Sequence, residues 1–245
     1  HLHPECTQLY TNIKYLKKIM ISDKRKYRIN YLFNKIFKEN FSKKLTIDWS
    51  NYSKRYEIIN NIILSNNYKE YLEIGCFKDE TFSRINIEHK VGVDPVSGGT
   101  VRLTSDEFFK NNKKKFDIIF IDGLHEYSQV KTDIINSLNS LNSNGVLLLH
   151  DCFPLKIRDQ MMPRSHQHWN GDTWKALVET RTLPNLDTYT ILADEGIGVV
   201  FKRKNRNPLH INFKNFKSLK FKDYYNNYEK FMNPVSEDKF FSLFK

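Results

Sequence analysis

The apolar positions of this chain follow one period at its start and another through its middle. Up to about residue 65 they recur at helical spacing: Leu9, Ile13, Leu16 and Met20 step by four, three and four, and Tyr52, Tyr56, Ile59 and Ile63 repeat the pattern. Tyr31 to Phe37 reads as a further helix between them. Helical spacing alone predicts burial, so this zone is expected to be a helical cap on a core domain. From Tyr68 to Arg203 short apolar runs alternate with amphipathic or polar segments, the pattern of βαβ units around a parallel sheet. The predicted strands are Tyr71 to Ile74, Lys90 to Val93, Val101 to Leu103, Phe116 to Ile121, Gly145 to Leu149, Tyr189 to Leu192 and Gly196 to Phe201. Helices are predicted to begin near Asp79 and at Ser105, Tyr127 and Asp172, with Thr104 and Glu107 spaced as a capping box at the second of these. Only Ala193-Asp194-Glu195 separates the last two strands, too few residues for a crossover, so they must form an antiparallel hairpin.

The expected fold is therefore α/β: a mostly parallel Rossmann-like sheet with a terminal antiparallel hairpin and helices before it. Three zones are expected: a helical cap over 1–65, the α/β core over 66–203, and a basic, aromatic extension over 204–245 that packs back on the core. Composition changes little in this picture. With 245 residues, 40% hydrophobic and 27% charged, the chain is an ordinary globular protein rather than a disordered or collagen-like one. No apolar run approaches the roughly 20 residues of a membrane span, and the first residues lack the cationic and apolar blocks of a signal peptide. Cys6, Cys76 and Cys152 are an odd number without C-x-x-C spacing, which disfavours a disulfide framework or structural zinc site and fits a reducing cytoplasm. Net charge is +11, from 39 Lys and Arg against 28 Asp and Glu. The lysines are scattered singly and in short runs among Asn and Ile, which reads as a solvated surface rather than a footprint for specific nucleic acid.

In open α/β sheets ligands bind beyond the carboxyl ends of the strands, so the loops after the strands are read as one site. They carry Glu73, Gly75 and Asp79; Asp94; Thr104, Ser105 and Asp106; Asp122 and His125; and His150 and Asp151. Where a dinucleotide fingerprint would place its second and third glycines stand Phe77 and Glu80, and the acidic pair Asp79-Glu80 would repel a pyrophosphate. NAD is disfavoured, whereas an adenosine without phosphates passes this test. Asp94, 21 residues beyond Glu73, stands where a carboxylate accepts both ribose hydroxyls. His125, three residues after Asp122, is placed for general-base work.

Tyr71-Leu-Glu-Ile-Gly75, Gly92-Val-Asp94, Thr104 to Phe109, Phe116 to Tyr127, Leu149-His-Asp-Cys152 and Trp169 to Ala176 together make this chain resemble the class I S-adenosylmethionine (SAM)-dependent methyltransferases. More narrowly, it resembles the sugar and macrolide-sugar O-methyltransferases. The resemblance implies SAM bound by Glu73, Gly75, Asp94, Ser105, Asp106 and Asp122, with catalysis by His125, Asp122 and Asp151. It also implies a divalent metal, typically Mg2+, on Asp122 and Asp151, oxygen donors of the kind magnesium prefers. The expected acceptor is a carbohydrate or sugar nucleotide, as in surface-glycan (capsule-type) biosynthesis, met by His150, His166, His168, Trp169 and Asn170. Trp174 reads equally as a sugar platform or as core. Two other classes compete with this reading: a basic RNA-binding protein or RNA methyltransferase, and a SAM-fold partner that does not catalyse. The helical amino zone and aromatic tail can pack within one chain or across a homodimer.

Overall fold

The computed structural model describes residues 23–211 and 213–242; the predicted helix through Leu9 and Met20, and Cys6, lie outside the described residues. Helix α1 covers 23–33 and runs into a π-turn at Asn34–Lys38, matching the Tyr31 to Phe37 expectation. There follow α2 (Arg55–Asn66), β1 (Glu70–Ile74), β2 (His89–Val93), α3 (Ser105–Asn111), β3 (Phe116–Ile121), α4 (Tyr127–Ser140) and β4 (Leu141–Leu149). The chain then continues through α5 (Thr173–Thr180), β5 (Asp187–Ile191), β6 (Ile197–Phe201), α6 (Phe221–Met232), β7 (Pro234–Val235) and α7 (Glu237–Ser242). Among the described residues no helix is long and apolar enough to cross a membrane.

The seven strands form one sheet in the order β2-β1-β3-β4-β6-β5-β7. The pairs β1 with β2, β1 with β3 and β3 with β4 are parallel, whereas β6 runs antiparallel to both β4 and β5, which is the expected hairpin. From β1 the chain goes to one side for β2 and to the other for β3, so the strand order reverses at β1. At such a reversal an open α/β sheet generally leaves a crevice beyond its strand ends.

β3 shows why the central strands are apolar at nearly every position: Ile119 and Ile121 face one side of the sheet and Ile118 and Phe120 the other, and helices cover both sides. On the first side lie Val130 and Ile134 of α4, Leu177 of α5, and Phe221 and Tyr224 of α6. On the second lie Ile58, Ile59 and Ile62 of α2. The tail thus packs back as expected, and it also adds β7 beside β5, which the polar-flanked Pro234-Val235 did not announce.

Some boundaries differ from expectation. No helix begins near Asp79: Asp79 has φ +61, Phe77 has φ +47, and the segment reaches only a short 3-10 turn at Phe82–Arg84. Val101 makes a lone bridge to Val93 and no strand, because the chain leaves the sheet edge at Arg102. Helix α2 begins at Arg55, so Tyr52 lies outside it and is exposed. The capping box at Thr104 forms, its hydroxyl accepting from the Glu107 amide while the Glu107 carboxylate accepts from the Thr104 amide.

Candidate active site

Two loops at this reversal hold each other. Gly75 leaves β1 with φ +90, and a Cβ there would strike the Asp122 carbonyl, so only glycine lets the ends of β1 and β3 approach. Its amide donates to the Val93 carbonyl at 2.8 Å, and the Asp122 amide donates to the Ile74 carbonyl at 2.8 Å. The Asp94 carboxylate accepts from the amides of Phe77 (2.9 Å), Val96 (2.8 Å) and Ser97 (2.9 Å), and Asp79 accepts from the Gly99 amide at 2.6 Å. Burial pushes Asp94 up, but the amides of Ser97, Phe77 and Val96 outweigh it and hold the carboxyl below its ordinary range. Glu73 lies buried on β1, accepting from the Tyr71 hydroxyl at 2.5 Å; burial raises it to about 8.

Beside these loops four side chains from the ends of β3 and β4 converge. Asp122 Oδ1 lies 3.3 Å from His125 Nε2 and 3.3 Å from His150 Nδ1. Asp151 Oδ2 lies 3.1 Å from His125 Nδ1 and 3.4 Å from His150 Nδ1. Ligating atoms of Asp122, His125 and Asp151 all fall within 4.8 Å of one another. Burial disfavours the charge on both imidazoles, but Asp151 and Asp122 more than offset it, holding His125 at about 9 and raising His150 as well. The aspartates move the opposite way: burial raises them, yet His150 and His125 keep Asp122 below its usual range and Asp151 at about 2. In the cluster the imidazoles and the carboxylates thus favour one another's charged forms.

Residues from distant parts of the chain complete it. Arg55, at the first turn of α2, places its guanidinium 3.0 Å from Asp194 and 3.7 Å from Asp122, and donates to the Thr81 hydroxyl at 2.8 Å. Asp194 also stands 3.7 Å from His150 Nε2. Asn170 is buried and donates to Asp151 Oδ1 at 2.6 Å and to Glu195 at 2.8 Å. Burial, with Asp151 nearby, raises Glu195 to about 8. Asp151 (φ +57), Asp194 (φ +39) and Glu195 (φ +67) all hold the left-handed conformation that non-glycine residues avoid. Such strain, concentrated at one place, is characteristic of functional sites.

The predicted residues therefore divide. Asp122, His125, His150, Asp151 and Asn170 come together, Gly75 and Asp94 stand in the neighbouring loops, and Glu73 is buried on β1 behind them, 1% exposed. Ser105 and Asp106 turn toward α4, where Gln129 donates to both. His166 pairs with Asp159 at 3.3 Å, and His168 with Glu195 at 3.4 Å. Trp169 stacks on the His125 ring with centroids 5.7 Å apart, gives its indole N–H to the Met161 carbonyl, and has the Arg164 guanidinium over its ring. Its ring supports the imidazole. Trp174 is fully buried, donates to Gln160 and packs on Tyr224, so it belongs to the core.

Arg55, Asp194 and Glu195 were not singled out from the sequence. The one available signal was the short Ala193-Asp194-Glu195 turn, whose two acidic residues immediately precede a glycine. A cavity of about 440 Å³ is lined by Lys38, Glu39, Gln160, Met161, Asp172, Lys175 and Lys217, among others, and by none of Asp122, His125, His150 and Asp151. Asp172, one of its lining residues, gives its amide to the His125 carbonyl at 3.0 Å.

Residues 61–152 match a family model described as a methyltransferase domain. No curated protein matches the chain. Among solved structures, the SAH-bound methyltransferase PaMTH1 of Podospora anserina is 17% identical, covering 62% of this chain and 80% of its own, with a TM-score of 0.47. An O-methyltransferase from Bacillus cereus in complex with SAH is 11% identical over 77% of this chain and 96% of its own (TM-score 0.45). The N-methyltransferase NodS from Bradyrhizobium japonicum is 17% identical over 62% and 95% (TM-score 0.42).

Proposed function

We propose that this chain, whose residues 61–152 match a methyltransferase-domain model, transfers the methyl group of SAM to a hydroxyl of a carbohydrate or sugar-nucleotide acceptor, with His125 as base. The observation that carries the reading is the convergence of His125 with Asp122 and Asp151 beside the strand ends that carry Glu73, Gly75 and Asp94. Methyl transfer from a sulfonium is an in-line displacement, so the protein's tasks are to align the acceptor oxygen with the methyl carbon and to take its proton.

In this reading Glu73, Gly75 and Asp94 serve the SAM side. His125 takes the proton, held in place by its stack on Trp169 and by the two aspartates. The donor set also fits a divalent cation, because the buried His150 Nδ1 faces both aspartates without a hydrogen-bond partner and the carboxylate oxygens lie together. Asp122 and Asp151 would hold it. A dication, Mg2+ in the simplest case, would supply positive charge beside these carboxylates and lower the pKa of the acceptor hydroxyl.

Calorimetry with SAM and S-adenosylhomocysteine, followed by an acceptor screen, tests this. His125→Ala should lower turnover by about two to four orders of magnitude while SAM affinity holds, the usual size of a general-base contribution. Full activity in that variant, or no SAM binding by the wild type, refutes the proposal.

A further inference from the structure

The side chain at the centre of the cluster is His150, and its contacts suit neither a surface residue nor an acceptor ligand. It is 6% exposed. Its Nδ1 is buried and has no hydrogen-bond partner, yet it lies 3.3 Å from Asp122 Oδ1 and 3.4 Å from Asp151 Oδ2. Donors about 2.1 Å from one ion at angles of about 90–110° stand about 3–3.5 Å apart, so these separations are those of ligands sharing an ion. His125 is differently placed: its Nδ1 already has the Trp169 carbonyl at 3.2 Å and its Nε2 has Asp122 at 3.3 Å, and it is the more exposed of the two rings.

The atoms behind these three donors are held as well. Metal-ligating imidazoles commonly give their second nitrogen to a carboxylate, and ligating carboxylates are themselves hydrogen-bonded. His150 Nε2 stands between the Arg55 guanidinium at 3.5 Å and Asp194 at 3.7 Å, and these two are themselves joined at 3.0 Å. Asp151 Oδ1 takes the Asn170 amide at 2.6 Å, leaving Oδ2 for the cluster. Asp122 Oδ2 faces the Arg55 guanidinium at 3.7 Å, leaving Oδ1. In each case one atom faces a neighbour outside the cluster, closely only at Asp151, and the other points inward.

We infer that His150 Nδ1 is a metal ligand together with Asp122 and Asp151, and that this nitrogen makes the site prefer a first-row transition dication, such as manganese or cobalt, over magnesium. The inference deepens the proposed function and rests on its placing of a cation at Asp122 and Asp151. An all-oxygen set suits magnesium, which binds nitrogen poorly, whereas imidazole suits the later divalent metals. His125 stays outside the ligand set, in contact with both carboxylates and free to receive a proton.

The test uses metal-free full-length protein without SAM or acceptor. Calorimetric titration should show one Mn2+ or Co2+ bound per chain at least about tenfold more tightly than Mg2+, about 1.4 kcal/mol. Pulsed electron paramagnetic resonance of the Mn2+ complex should show coupling to one imidazole nitrogen. His150→Asp, which restores an all-oxygen set, should abolish the nitrogen coupling and shift the Mn2+ to Mg2+ affinity ratio toward magnesium by about tenfold. His125→Ala should keep both the coupling and the ratio. The inference is overturned by a wild-type Mn2+ complex without nitrogen coupling, by no stoichiometric binding of either ion, or by coupling that disappears in His125→Ala instead. The wild-type spectrum decides the matter even if His150→Asp does not fold. Because none of these readouts involves SAM, failure of SAM binding in a separate titration overturns the proposed function alone.

Discussion

Asp94→Asn separates the two tasks given to the carboxylate at the end of β2. In the structure its three amide bonds hold the loops after β1 and β2 together, with both oxygens engaged: Oδ2 by Phe77, and Oδ1 by Val96 and Ser97. Asparagine can keep one oxygen facing Val96 and Ser97, but its amide then meets the Phe77 N–H donor to donor. A group left unsatisfied in this way costs about 1–3 kcal/mol of stability. The Arg102 contact, 3.9 Å away and half exposed, adds little. If the remaining acceptor capacity of Asp94 also binds the ribose, losing a hydrogen bond to a charged group removes about 1.5–3 kcal/mol of SAM affinity, roughly a 10- to 150-fold rise in Kd. Urea unfolding reads the first quantity and calorimetry the second. SAM and S-adenosylhomocysteine share the adenosine, so both should weaken by the same factor. An unchanged Kd in a folded variant, or a loss confined to SAM, refutes the ribose assignment and leaves Asp94 as a loop clamp.

Three further outcomes follow from named contacts. Gly171 has φ +63 and a Cβ there would collide with the His125 carbonyl, so Gly171→Ala should displace the His125 loop and lower turnover at least about tenfold while leaving SAM affinity within about twofold; wild-type turnover would refute the placement. Trp174→Ala should cost about 3–5 kcal/mol in urea unfolding, because the indole is fully buried against Tyr224; a loss below about 1 kcal/mol would be inconsistent with a core role. Glu73 binds its proton more tightly folded, with a pKa raised by burial from 4.5 to about 8, than unfolded. Its contribution is therefore fully present below about pH 4.5 and is lost as pH rises toward 8, so the unfolding free energy of Glu73→Gln should fall less than that of the wild type across this window; parallel curves would contradict the shift.

The alternation of apolar runs was enough to place six of the seven strands and the terminal hairpin, since a buried parallel sheet demands near-continuous apolar strands and a three-residue connection permits only an antiparallel turn. The order of polar residues at the strand ends likewise located Asp122, His125 and Asp151, because a strand's last residue and the first turn after it must project beyond the sheet. Periodicity could not show that the segment near Asp79 turns instead of coiling. Its path is set by the Gly99 amide on Asp79 and the Phe77 amide on Asp94, both contacts between separate loops. Nor could it join Arg55 to Asp194, 139 residues apart, or bring Glu195 and Asn170 to Asp151. Trp174 and Trp169 illustrate the same limit. The sequence shows two indoles in a segment whose side chains suit sugar binding, but only packing buries one against Tyr224 and stacks the other on His125. Local pattern specifies elements and the loops they end in; which side chains share a charge cluster depends on the sheet order, and that is settled by how the whole chain closes over its core.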